Sequence, residues 1–148
     1  MKSANAHSAS IILAFDFGTQ HIGVAVGDTE TRMAHALGAV GGRGGGSNAA
    51  RMAGIEPFVR EWRPARLVVG LPLALDGAEH EMTARARRFA RQLTARFGVP
   101  VDLADERLSS VAAEEGLREA GRGGAKHKQL VHGEAARIIL QSYLNESA

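Results

Sequence analysis

Apolar residues along this chain fall into short continuous runs near the start and into helix-spaced stripes further on. Ile11-Ile12-Leu13-Ala14-Phe15-Asp16 is an apolar run closed by an acid, the pattern of a strand buried on both faces. The turn Phe17-Gly18-Thr19-Gln20 leads into Ile22-Gly23-Val24-Ala25-Val26-Gly27, a second strand whose tight connection predicts antiparallel pairing. Ala34 to Val40 forms a third, weaker strand, and GGRGGG at 41–46 breaks the pattern as a flexible loop. Within Asn48 to Trp62, Met52, Ile55, Val59 and Trp62 share a helical stripe that Pro64 closes. Arg66 to Leu71 is an interior strand stopped by Pro72. The spacing predicts a helix over Glu79 to Phe97, with Met82, Ala86, Phe89, Leu93 and Phe97 on its apolar stripe. Val99 to Leu103 is a fifth short strand and Ser110 to Glu119 a helix. Gly133 to Leu144 is the last helix, with Ala136, Ile139, Leu140 and Tyr143 inward.

Three strands followed by alternating helices and strands predict an α/β fold: a mixed five-stranded sheet flanked by helices, its antiparallel trio first and its parallel crossovers after. The 148 residues suffice for one domain, placed at residues 11–146, with residues 1–10 expected to be a disordered polar tail. Cysteine is absent, which excludes a disulfide framework or a thiolate metal cage and fits a reducing compartment. No segment approaches the ~20 apolar residues of a membrane span, and the first ten residues lack a secretory apolar run. A cytoplasmic protein with no membrane partner is expected.

The net charge of +2 says little about partners, but the distribution says more. Arg85, Arg87, Arg88, Arg91 and Arg96 occupy Thr83 to Pro100 without an acid, and GRGGAKHKQLV at 121–131 is again cationic and acid-free. Such runs are solvated faces or phosphate contacts. In the second run, Lys126 and Lys128 beside glycines suit a segment that orders on a polyanion.

Asp16 is the sharpest chemical signal, because a carboxylate ending a buried strand costs desolvation unless cations or donors compensate it. Its ordinary alternative is a turn-capping Asp before Gly18. The following Gly18, Thr19 and Gln20 form a tight turn whose backbone N–H groups suit a phosphate. Asp105-Glu106-Arg107 follows the fifth strand and reaches the same carboxyl edge if the two strands run parallel. Acids meeting there repel unless a divalent cation lies between them; otherwise the segment is a solvated loop neutralised by Arg107. Ser109 and Ser110 read as an N-cap. His132, at the expected start of the last helix, lines up with Ala136, Ile139 and Tyr143 on the sheet side. It is either structural or a ligand, workable for Mn²⁺, Zn²⁺ or Fe²⁺ but uncommon for Mg²⁺.

LAFDFGTQHIGVAVGD at 13–28, VVGLP at 68–72, DERLSS at 105–110 and VHGEAARIILQSYL at 131–144 together resemble the YqgF family. The likeness spans nearly the whole chain after Ser10. That family is assigned to nucleolytic processing of the 16S ribosomal RNA precursor and is related in fold to the RuvC Holliday-junction resolvases. The resemblance implies a ribonuclease H-like fold and a cluster of acids holding divalent metal. Carried over residue by residue, the first-strand acid is Asp16 and the acid of the D-E-R-L-S motif is Glu106. The middle strand, LVVGLPL, offers no acid where the resolvases have one. At the last helix the family usually has V-D, and this chain has Val131-His132.

The function implied is a metal-dependent endonuclease acting on the 5′ end of pre-16S rRNA. Its catalytic and metal residues are then Asp16, Glu106 and His132, its cofactor Mg²⁺ or Mn²⁺, and its nucleic-acid contacts Thr19, Gln20, Arg107, Lys126 and Lys128. Either a monomer or a homodimer fits that role. Three rivals stay open: a junction resolvase on branched DNA, a non-catalytic RNA-binding assembly factor, and a kinase-like phosphate loop at Asp16-Phe17-Gly18-Thr19. The last needs two such domains to clamp a nucleotide.

Overall fold

The strand β1 (Ile11–Phe17) sits in the middle of the sheet because nearly all its side chains are apolar and both its faces are covered. The computed structural model describes residues 10–18, 20–41, 47–72, 80–105 and 124–146, and within the last segment it describes side chains from residue 131 onward. These residues form β1, β2 (His21–Asp28), β3 (Ala34–Gly41), α1 (Asn48–Trp62), β4 (Arg66–Leu71), α2 (Glu81–Phe97), β5 (Val101–Asp105) and α3 (Gly124–Glu146). The strands lie in the order β3-β2-β1-β4-β5. β1 pairs antiparallel with β2, and β2 with β3, while β1, β4 and β5 run parallel. The expected mixed sheet is therefore present, and the carboxyl ends of β1, β4 and β5 share one edge.

Strand alternation divides the core in two. Leu13, Phe15 and Phe17 face α1 and α2, packing with Met52, Ile55, Phe89 and Leu93. Ile12 and Ala14 face α3, packing with Ala25, Val68, Ala136, Ile139, Leu140 and Leu144. Asp16 shares the parity of Ile12 and Ala14, which puts it on the α3 side.

Several boundaries differ from the sequence expectation. α2 begins at Glu81 rather than Glu79, because His80 caps it: the His80 side chain accepts from the Met82 backbone N–H, and Thr83 reciprocates. β5 is displaced two residues onward, to Val101–Asp105; Pro100 offers its carbonyl to Leu67 just before the strand begins. Asp105 therefore ends the strand instead of opening a loop. α3 starts at Gly124, so His132 lies more than two turns inside it and does not open it. Lys126 and Lys128 belong to this helix and not to a loop, although their side chains lie outside the described residues. Gly133 does not break the helix because it serves a contact: a Cβ there would stand 3.2 Å from the backbone N and O of Gly38. Tyr143 is only half-buried, its expected inward place being filled by Leu144. Gly41 pairs with His21 as the last residue of β3 and so is not loop. The polar tail, residues 42–46 and the helix expected over Ser110 to Glu119 lie outside the described residues, except that Ser10 donates to and accepts from Thr29 beside β1.

Candidate active site

β1 delivers Asp16 to the carboxyl edge, where its side chain is 8% exposed, the one buried carboxylate among the described residues. Directly across the β1–β2 ladder stands Gly23, at the ~4.5–5.5 Å Cα separation of an antiparallel pair. A Cβ on Gly23 would stand 1.9 Å from the backbone carbonyl oxygen of His132. The backbone of α3 at His132 thus rests on the glycine opposite Asp16, although 116 residues of chain separate His132 from Asp16.

The reason lies in one face of β2. His21, Gly23, Ala25 and Gly27 alternate along the α3 side, and three of the four are small. At Gly27 a Cβ would meet Leu140 and Leu144 at 3.1 Å. Two further ties hold the helix. Gln141 grips the β2–β3 connection, accepting from the Ala34 N–H at 3.0 Å and donating to the Arg32 carbonyl at 2.7 Å. At the opposite edge of the sheet the Tyr143 hydroxyl donates to Asp102 of β5, whose carboxylate also takes Arg66 at 3.2 Å.

His132 then stacks on His21, ring centroids 4.7 Å apart and planes inclined by 17°. The sequence reading missed His21. Its signal was parity, since it shares the face of Gly23 at the mouth of the turn that follows Asp16. In that turn Gly18 is obligatory, because a Cβ would stand 2.6 Å from the His21 carbonyl oxygen. Arg51 of α1, also missed, donates to the Gly18 carbonyl at 2.7 Å and lies over the Phe17 ring at 5.0 Å.

Of the residues expected at the site, Asp16 pairs across the ladder with Gly23, the His132 backbone packs on that same glycine, and Gln20 is exposed in the adjoining turn. Thr19, Glu106 and Arg107 lie outside the described residues. Glu106 follows Asp105, the end of β5, whose Ala104 pairs with Gly70 one residue past the Phe15–Val69 pair. Among the described residues no three His, Cys, Asp or Glu side chains are grouped to hold a metal ion. His21 and His132 stack on each other, and Asp16 lies across the β1–β2 ladder from Gly23; carboxylate and imidazole are donor types that Mn²⁺ accepts together and that fit Mg²⁺ less well.

A family model described as "RuvX: Holliday junction resolvase" matches residues 10–146. A Burkholderia lata protein named "Putative pre-16S rRNA nuclease" is 47% identical over 146 residues, covering 99% of this chain and 95% of that one. A Burkholderia ambifaria protein of the same name is 46% identical over the same span. Among solved structures, T. thermophilus RuvC in complex with a Holliday junction substrate matches with a TM-score of 0.55 and 20% identity, over 93% of this chain and 95% of RuvC. That likeness shows the ribonuclease H-like fold expected of the sheet. With a buried strand-end carboxylate, a three-strand carboxyl edge and a match along 10–146, the chain belongs to the RuvX (YqgF) family.

Proposed function

We propose that this chain is a cytoplasmic, metal-dependent endonuclease that processes the 5′ end of pre-16S rRNA. The observation that carries the reading is the buried carboxylate of Asp16 at the common edge of β1, β4 and β5, in a chain 47% identical to a protein named "Putative pre-16S rRNA nuclease". Asp16, Glu106 and His132 would hold the divalent cation, Mg²⁺ or Mn²⁺. When bound, such a cation supplies an activated water and neutralises charge on the phosphate. The chain's own part is placement. β1 is paired on both sides and holds Asp16 in the sheet, while Gly23 seats the His132 backbone of α3 directly across the ladder from it. Thr19, Gln20, Arg107, Lys126 and Lys128 contact the phosphates and set the register of the strand, with 2′-hydroxyl groups distinguishing RNA from DNA.

The test is incubation of the purified protein with 5′-extended 16S precursor RNA, and separately with a four-way DNA junction, in Mg²⁺, Mn²⁺ and EDTA. Metal-dependent cleavage of the RNA, abolished by Asp16→Asn with binding retained, is expected. Preferential cleavage of the junction would replace the proposed substrate with branched DNA. Binding of RNA without cleavage in either metal would make the chain an assembly factor.

A further inference from the structure

Phe17 points away from Asp16, toward α1 and α2. Beside it opens a cleft of about 220 Å³ lined by Phe17, Asn48, Arg51, Arg85, Arg88 and Gln92. Guanidinium groups from two helices converge there, and no lining residue is acidic. The arginines of α2 are thereby sorted: Arg85 and Arg88 line the cleft, whereas Arg96 is tied to Glu56 at 3.0 Å. Arg51 is held at the cleft by the Gly18 carbonyl and by the Phe17 ring. Arg85 meets Glu81 at 2.9 Å in a pair that is largely solvent-exposed, which leaves much of its charge for a ligand. Arg88 is exposed and makes no ion pair among the described residues. Burial first, and then the charge of Arg85, push the Arg51 guanidinium below its ordinary value. An anion placed among these groups relieves that strain.

The lining favours one ligand chemistry. Guanidinium groups match phosphate in paired, planar fashion, and Asn48 and Gln92 add amide donors. The volume falls below the ~300–1,000 Å³ of ordinary small-molecule pockets, so the cleft suits one phosphate of a chain better than a free nucleotide. It opens at the residue after Asp16, on the opposite side of the sheet.

We propose that the Arg51–Arg85–Arg88 cleft binds a phosphate of a nucleic-acid strand, so that the substrate is gripped on both sides of the carboxyl edge that carries Asp16. The inference rests on the nucleic-acid substrate proposed above but not on its cleavage. The experiment measures binding of a labelled single-stranded RNA, and of a four-way DNA junction, in EDTA across a salt series. Four proteins are compared: wild type, the double variant R85Q/R88Q, the single variant Arg88→Gln, and Arg91→Gln as an exposed α2 cation outside the cleft. Removing one cation from a single-strand phosphate lowers affinity about fourfold near ~0.15 M salt and reduces the salt slope by about 0.7. The double variant is expected to bind RNA roughly tenfold more weakly with a slope smaller by about 1.4, and Arg88→Gln about half of that on a logarithmic scale. Arg91→Gln should stay within twofold of wild type. Equal weakening in R85Q/R88Q and Arg91→Gln, unchanged affinity in both, or a wild type that binds neither nucleic acid overturns the assignment. Because EDTA removes metal-dependent cleavage from the measurement, the cleft remains assigned if binding behaves as expected while the protein never cleaves; only the nuclease reading then fails.

Discussion

Gly23→Ala is the most informative single perturbation of this fold. The added Cβ would stand 1.9 Å from the backbone carbonyl oxygen of His132, whereas ordinary contacts begin near 3.4 Å. Relief requires a separation of about 1.5 Å, and a backbone atom in mid-helix cannot move that far alone. α3 must shift as a body or β2 must bow. Either response disturbs the Gly133–Gly38 contact and the packing of Leu140 and Leu144 on Gly27. Overpacking of this kind costs about 1–3 kcal/mol, which for a domain near 150 residues lowers Tm by roughly 2–12 °C. If His132 and Asp16 act together as proposed, the same shift separates them, and a misplacement of ~1 Å in a reacting constellation costs on the order of a hundredfold in rate. Thermal unfolding, followed by cleavage of precursor RNA well below the unfolding range, checks both parts. Gly27→Ala is the control. It crowds the same helix four residues further along β2, about 13 Å away, so it should lower Tm with a much smaller loss of cleavage. A Gly23→Ala protein with wild-type Tm and wild-type cleavage would refute the close seating of α3 on β2.

Three further outcomes are expected. His132→Asp replaces an imidazole with a carboxylate, so Mg²⁺-supported cleavage should rise relative to Mn²⁺-supported cleavage, by tenfold or so for one added hard ligand; an unchanged metal ratio would remove His132 from the ligand set. Arg63 caps α1 at φ 46° and ψ 60°, a left-handed conformation that costs an L-residue about 1–2 kcal/mol. Arg63→Gly should therefore raise stability by about 0.5–1 kcal/mol after the entropy of glycine is counted, seen as a Tm increase of roughly 1–4 °C. Tyr143 is the chain's single tyrosine. Burial, together with its hydrogen bond to Asp102, raises its pKa above the ordinary 10.0. Its contribution to stability is complete below the ordinary value and is lost as pH rises through the raised one. The near-ultraviolet tyrosinate titration should have its midpoint above 10.0, and Tyr143→Phe should flatten the alkaline loss of stability. A midpoint at the ordinary value would contradict the Asp102 contact.

Much of the architecture is local in origin and so was legible along the chain. The apolar run of β1, the stripe of α1 and the interior run of β4 were read with their bounds almost unchanged, because side-chain periodicity reports directly on which faces are covered. Asp16 stood out for the same reason: a lone acid closing a buried strand conflicts with its surroundings unless chemistry accounts for it. The start of α3 was misread because Gly133 looks like a helix boundary in isolation. Only its contact with Gly38, a residue 95 positions earlier, explains a glycine inside a helix. The His21–His132 stack and the Arg51–Arg85–Arg88 cleft were likewise hidden, since each joins side chains from elements far apart in sequence. Helix and strand follow from hydrogen bonds and rotamers a few residues apart, whereas which glycine admits which helix follows from close packing across the whole sheet. By itself the sequence determined the elements, the sheet class and the strand-end acid. Tertiary structure alone decided that α3 rests on Gly23, that His132 stacks on His21, and that Arg51, Arg85 and Arg88 meet at one cleft.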